Sequence, residues 1–144
     1  MIVFVVNCGS SSIKYQLINM EGEKVMAKGL VERIGMEGST LKHTPVGKYT
    51  IDLKEDIPDH VVGIRMVLKA LTHKEYGVIK DMSEIDAVGH RVVHGGERFA
   101  DSVLITGEVL QGIKACSEIA PLHNPPNLFG IEACMNLMKG VPQV

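Results

Sequence analysis

The first half of this chain carries strand patterns, apolar runs or apolar–polar alternation, and the remainder alternates helical and strand patterns. Ile2-Val3-Phe4-Val5-Val6 is a continuous apolar run that stops at Asn7, which predicts a buried strand. Ile13, Tyr15 and Leu17 then alternate with Lys14 and Gln16, the pattern of a half-exposed second strand. Glu21-Gly22-Glu23 punctuates it and opens a third strand over about 24–34. Gly35 to Gly38 reads as a turn, and Lys42 to Leu53 as one or two further short strands. Pro58 stands where a helix begins, and Val61, Ile64, Leu68 and Leu71 carry it at helical spacing to about His73. Ile85 to His94 reads as a buried strand running out into Gly95-Gly96. Thr106 is placed to cap a helix over 107–119 that ends before Pro121. Asn127 is placed to cap another carrying Leu128, Ile131, Met135 and Met138, with Gly140 as its stop signal. Val141 to Val144 resembles the start of one more strand, so the chain is expected to be a fragment.

A meander of strands followed by helix–strand–helix units predicts an α/β domain with a mixed sheet flanked by helices. Composition narrows the picture further. At 144 residues and 45% hydrophobic content, one domain of moderate size is expected. With no Trp and only three Phe and three Tyr, aliphatic residues and eight Met must fill its core. The 15 basic and 17 acidic residues are mixed along the chain, so no basic stripe argues for nucleic acid. No run reaches the length of a membrane span, and the apolar start lacks a charged leader, so no membrane role is expected. Cys8, Cys116 and Cys134 are odd in number and lack metal spacing, which points to a reducing, cytoplasmic setting. Cys8 is either a reactive thiol beside the turn or a small residue packed under it.

Three constellations carry chemistry. The first is Asn7-Cys8-Gly9-Ser10-Ser11-Ser12-Ile13-Lys14, a tight turn between two strands. Gly9 permits positive φ and close approach, and successive amides, hydroxyls and Lys14 suit a phosphate. It is not a Walker A loop, because the spacing differs and a strand follows rather than a helix. A plain Gly/Ser turn remains the alternative.

The second is His90-Arg91-Val92-Val93-His94-Gly95-Gly96. On a strand, His90 and His94 would stand roughly 13 Å apart, too far to share an ion. Arg91 offers a planar fork of donors suited to a carboxylate or phosphoryl group, with a structural ion pair as the alternative. Val92 or Val93 beside it would supply a small apolar wall. The third is Pro121-Leu122-His123-Asn124-Pro125-Pro126-Asn127, a stiff loop that fixes the His123 imidazole for a ligand or for a structural role.

Taken together, the motifs at 7–15, 89–96 and 121–127 closely resemble those of the acetate kinase family in order and spacing, over essentially the whole chain. That family belongs with sugar kinases, Hsp70 ATPase domains and actin, whose two ribonuclease-H-like domains close over ATP. The resemblance implies that residues 1–144 are an N-terminal ribonuclease-H-like domain. It also implies Mg²⁺-dependent, in-line phosphoryl transfer between ATP and acetate, giving acetyl phosphate and ADP, in a homodimeric full-length enzyme. By the same resemblance, Asn7 is the metal-linked residue, and Ser10, Ser12 and Lys14 handle the nucleotide phosphates. Arg91 binds the acid carboxylate, Val93 and Leu122 flank its methyl group, and His123 sits at phosphoryl transfer. The family's catalytic aspartate, a second arginine, a further histidine, the adenosine pocket and a metal-binding glutamate all lie beyond residue 144. Activity is therefore expected of the whole protein and not of this chain alone. Propionate or butyrate kinases, and a non-catalytic nucleotide-binding module of the Hsp70 or actin type, are the alternatives.

Overall fold

A computed structural model describes residues 1–93, 95 and 101–144. Six strands form one mixed sheet in the order β5-β4-β3-β2-β1-β6. They are β1 (Ile2–Cys8), β2 (Ile13–Asn19), β3 (Lys24–Glu32), β4 (Thr40–Pro45), β5 (Ile51–Lys54) and β6 (Ala87–His90). The first five pair antiparallel in sequence order, whereas β6 lies parallel to β1 with Phe4 opposite Val88 and Val6 opposite His90. Segment 142–144 begins a further parallel pairing beside β6, with the His90 amide donating to the Val144 carbonyl (2.7 Å). The expected meander and mixed sheet are thus both present.

Three helices accompany the sheet: α1 (His60–Leu71), α2 (Gly107–Ala115) and α3 (Asn124–Leu137). Alternation along β1 and β2 turns Phe4, Val6, Cys8, Ile13, Tyr15 and Leu17 to one face, where all are buried. Against this face pack Ile64, Val67, Leu68 and Leu71 of α1; Ile64, Leu68 and Leu71 belong to the predicted stripe, whereas its Val61 is exposed and Val67 takes a core place instead. Each fully buried aliphatic side chain of this size contributes about 2 kcal/mol. Gly63 lets α1 approach, since a Cβ there would stand 2.7 Å from Ile13. A second apolar cluster of Val109, Ile113, Leu128 and Ile131 joins α2 to α3, with Val92 packed beside it.

Several boundaries differ from the sequence reading for identifiable reasons. The helix expected from Pro58 to about His73 runs from His60 to Leu71, with Asp59 capping it by accepting from the Val62 amide (2.9 Å). The third strand stops at Glu32, and α2 ends at Ala115, followed by a 3-10 turn over Cys116–Glu118. The strand expected over 85–94 is regular only from Ala87 to His90. His94 lies outside the described residues. The largest shift is at α3, which starts at Asn124, three residues before the expected cap. Pro125 and Pro126 sit in its first turn, where amides lack helical partners anyway and proline is tolerated. Asn127 is consequently inside the helix, and its side chain is free to make tertiary bonds.

Candidate functional site at the strand ends

Parallel β1 and β6 end side by side, and the three sequence constellations meet there. Beyond β1 comes the turn Gly9–Ser12, closed by the Gly9 amide donating to the Ser12 carbonyl (2.9 Å). Beyond β6 comes Arg91, whose amide donates to the Val6 carbonyl (3.1 Å), so that Arg91 begins level with Asn7. In open α/β sheets the crevice outside the carboxyl ends of parallel strands is the usual ligand position. Across the antiparallel ladder, Asn7 pairs directly with Lys14. Their side chains lie on the sheet face opposite the buried one, with Asn7 half-buried and Lys14 exposed.

The turn is held from outside so that its amides stay free. His60, buried at the start of α1, donates from Nε2 to the Gly9 carbonyl (2.7 Å), and its ring lies 6.1 Å from that of Phe129. The Ser11 carbonyl accepts from the Ile34 amide (3.0 Å). With those carbonyls engaged, the amides of Ser10, Ser11 and Ser12 donate to no acceptor among the described residues. Exposed Ser10 and half-buried Ser12 add hydroxyls to this donor array. Gly9 corrects the expectation of positive φ, since it is not among the left-handed glycines. What the position requires is space: a Cβ there would stand 2.8 Å from Ser12 Oγ. Cys8 beneath the turn is buried, and burial pushes its thiol up to about 12, which makes it an inert packing residue at neutral pH.

Asn127 joins the constellations. It is only 4% exposed, donates from Nδ2 to the Cys8 carbonyl (2.9 Å) and accepts at Oδ1 from the Val93 amide (3.1 Å). Next to it, Asn124 donates to the Ile113 carbonyl (3.1 Å) and so ties α3 to α2. A Cβ on Gly130 would collide with Cys8 Sγ, so α3 lies directly against the end of β1. His123, exposed, precedes α3 at the same end of the sheet. The helix terminus itself offers no free amide there. Asn124 donates to Ala120 and Asn127 to His123, while two prolines have none to give. An anion at this point must therefore be met by side chains.

Arg91 is exposed and makes no ion pair among the described residues. It borders a cleft of about 490 Å³ whose apolar wall includes Val5, Val92, Ile105 and Val109. Val93 and Leu122 are 44% and 75% exposed, so the apolar pocket expected of them is not closed by the described residues. Among those residues no group of three His, Cys, Asp or Glu is placed to hold a metal ion. The Asn7 carboxamide suits a subsidiary oxygen donor to Mg²⁺, an ion that keeps several waters and leans on substrate phosphates. His90 instead donates from Nε2 to Gln143 Oε1 (2.6 Å), and burial holds its imidazole below the usual range. It is a strut between β6 and segment 142–144.

His60 and Asn127 were not legible as site residues in the sequence. One follows a helix cap and the other imitates one, and only the packed fold shows what their side chains reach.

The sheet order β3-β2-β1-β6, with antiparallel strands giving way to a parallel pair, is of ribonuclease-H type, and turn amides unpaired among the described residues, serine hydroxyls and Arg91 gather at its strand ends. The chain belongs to the Acetokinase family, whose model matches residues 2–144. It is 60% identical over 142 residues to an acetate kinase of Syntrophomonas wolfei and 59% to one of Desulfitobacterium hafniense, covering 99% of this chain and 36% of each relative. Among solved structures, acetate kinase of Porphyromonas gingivalis superposes with a TM-score of 0.96 at 47% identity, covering 99% of this chain and 36% of that one. A propionate kinase of Francisella tularensis superposes with a TM-score of 0.88 at 34% identity, covering 99% and 35% respectively. This chain thus spans about a third of the length of the relatives it matches. No described helix is long and apolar enough to cross a membrane.

Proposed function

We propose that this chain is the N-terminal, phosphate- and acid-gripping domain of an acetate kinase. In this reading the enzyme transfers the γ-phosphoryl group of ATP in line to the carboxylate of acetate, giving acetyl phosphate and ADP. The observation that carries it is the meeting of the serine turn, Arg91 and His123 at one end of the sheet, held by Asn127, in a chain of this family. Ser10, Ser12 and Lys14 hold the nucleotide phosphates with the free turn amides. Arg91 holds the acid carboxylate through its paired N–H donors. Val93 and Leu122 contact the acid's methyl group once the rest of the protein covers them. His123 donates to the phosphoryl group in flight. A dissociative transition state of this kind needs positioning and positive charge more than a covalent partner. Asn7 would help hold Mg²⁺ through its carboxamide oxygen, and the ion would neutralise charge on the phosphates when bound.

Acetate has four non-hydrogen atoms, so a ceiling of about 1.5 kcal/mol per atom limits its binding to roughly 6 kcal/mol. Arg91 must provide much of that. Because the chain spans about a third of its relatives, we expect no acetyl phosphate from it alone. The full-length protein is assigned to the cytoplasm and to a homodimer. The similarity to a propionate kinase keeps a longer acid as the second reading.

The test is acyl phosphate formation by the full-length polypeptide with ATP, Mg²⁺ and acetate, propionate or butyrate, trapped as the hydroxamate. Preference for acetate supports the reading, and preference for a longer acid changes only the substrate. No turnover with any acid would favour a nucleotide-binding module instead.

A further inference from the structure

We infer that Asn127 is a positioning residue that sets the distance between the phosphate turn and the acid-binding segment. This rests on the functional reading above, in which Asn127 holds the segments together, and deepens it by assigning its carboxamide a direct effect on substrate binding.

The side chain is buried, and both of its ends are used. Nδ2 donates to the carbonyl of Cys8, the last residue before the turn, and Oδ1 accepts from the amide of Val93, two residues beyond Arg91. A carbonyl only accepts and an amide N–H only donates, so one orientation of the carboxamide satisfies both partners. The flipped orientation satisfies neither. Asn127 therefore acts as a two-ended spacer fixed in length and direction. Its own amide donates to the His123 carbonyl (3.1 Å), which brings the third segment into the same arrangement. The Val93 amide has left the β6 ladder, and a flexible segment there would let Arg91 drift relative to the turn. In-line transfer is sensitive to misplacements of about 1 Å between donor and acceptor.

Substitution separates the two ends. Asn127→Asp keeps the acceptor for Val93 and loses the donor to Cys8, placing a carboxylate against a carbonyl. Asn127→Ser shortens the arm and cannot span both partners. In the full-length polypeptide, ATP affinity by calorimetry, KM for acetate and thermal unfolding are compared for both variants. The expected result is about tenfold weaker ATP binding in Asn127→Asp, with the acetate KM within about twofold of the parent. In Asn127→Ser both should weaken. If Asn127→Asp does not fold, Asn127→Ser still decides the matter. Folded variants that melt earlier but keep ATP affinity and acetate KM would overturn the inference and leave Asn127 a packing residue. Parent turnover is read in the same series. Its absence would strike the functional reading, whereas the change in ATP affinity would still judge the spacer.

Discussion

Two buried polar clusters in this molecule use similar chemistry to different ends. In the meander, the Tyr15 hydroxyl donates to His43 Nδ1 (2.6 Å) and His43 Nε2 donates to the Tyr76 carbonyl (3.0 Å). At the strand ends, Asn127 bridges Cys8 and Val93. In both, every polar atom is satisfied and the central side chain is nearly or fully buried. The first joins Tyr15 of β2, His43 of β4 and Tyr76 in the loop after α1, and none of its bonds reaches the turn amides or Arg91, so its role is to fix the fold. The second joins the segments that carry the candidate site. A satisfied buried polar group is informative about function through what its partners are attached to.

A glycine abuts each cluster and gives the sharpest way to separate them. A Cβ on Gly29 would collide with the Tyr15 phenol, and one on Gly130 with Cys8 Sγ. Overpacking of this kind costs about 3 kcal/mol when the neighbours cannot give way. Gly29→Ala is expected to lower the unfolding free energy of the full-length protein by that amount, read from its denaturant midpoint and slope, while the folded fraction keeps its KM values. Gly130→Ala should lower the midpoint and also weaken ATP, because it pushes α3 off the end of β1. Equal effects on ATP from both would erase the distinction.

A smaller effect comes from Tyr15→Phe. It leaves His43 Nδ1 buried without a donor, at about 1–3 kcal/mol, and should be visible in urea unfolding with unchanged turnover.

The smallest is a dependence on pH. Burial holds the His43 imidazole below its usual range, with the Tyr76 carbonyl opposing the shift, and His90 is displaced in the same direction. The unfolded chain therefore binds protons that the folded chain refuses once pH falls below about 6.5. This contribution is fully present above that pH and is lost as pH falls toward the folded-state values. Urea midpoints between pH 7.5 and 5 should decline, and more shallowly in His43→Gln.

The sequence made most of the architecture legible, because period-two alternation and helical stripes report burial directly. Ile13, Tyr15 and Leu17 face the core as their spacing implies, and Thr106 caps α2 by accepting from the Val109 amide (3.3 Å). The segments around Gly9, Arg91 and Asn127, far apart in sequence, also come together at one end of the sheet. What stayed hidden was long-range geometry. Asn127 has the residue type and the position of a helix cap, and nothing local indicates that its partners lie 119 and 34 residues away. The prolines before it misled in the same way, since Pro125 and Pro126 read equally well as a loop or as a first helical turn. Val93 and Leu122 were expected to wall a pocket, and both stand exposed, with no pocket closed over them by the described residues.

The central claim is that Arg91 holds the acid at the end of β6. It is tested most directly by the kinetics of Arg91→Ala in the full-length polypeptide, with acetate and ATP varied separately. Arg91 makes no ion pair among the described residues, so its removal should leave the fold intact. If Arg91 holds the acid, kcat/KM for acetate falls about 100-fold or more, with a raised acetate KM and a thermal midpoint near that of the parent. Unchanged acetate KM and kcat in a folded variant would contradict the claim.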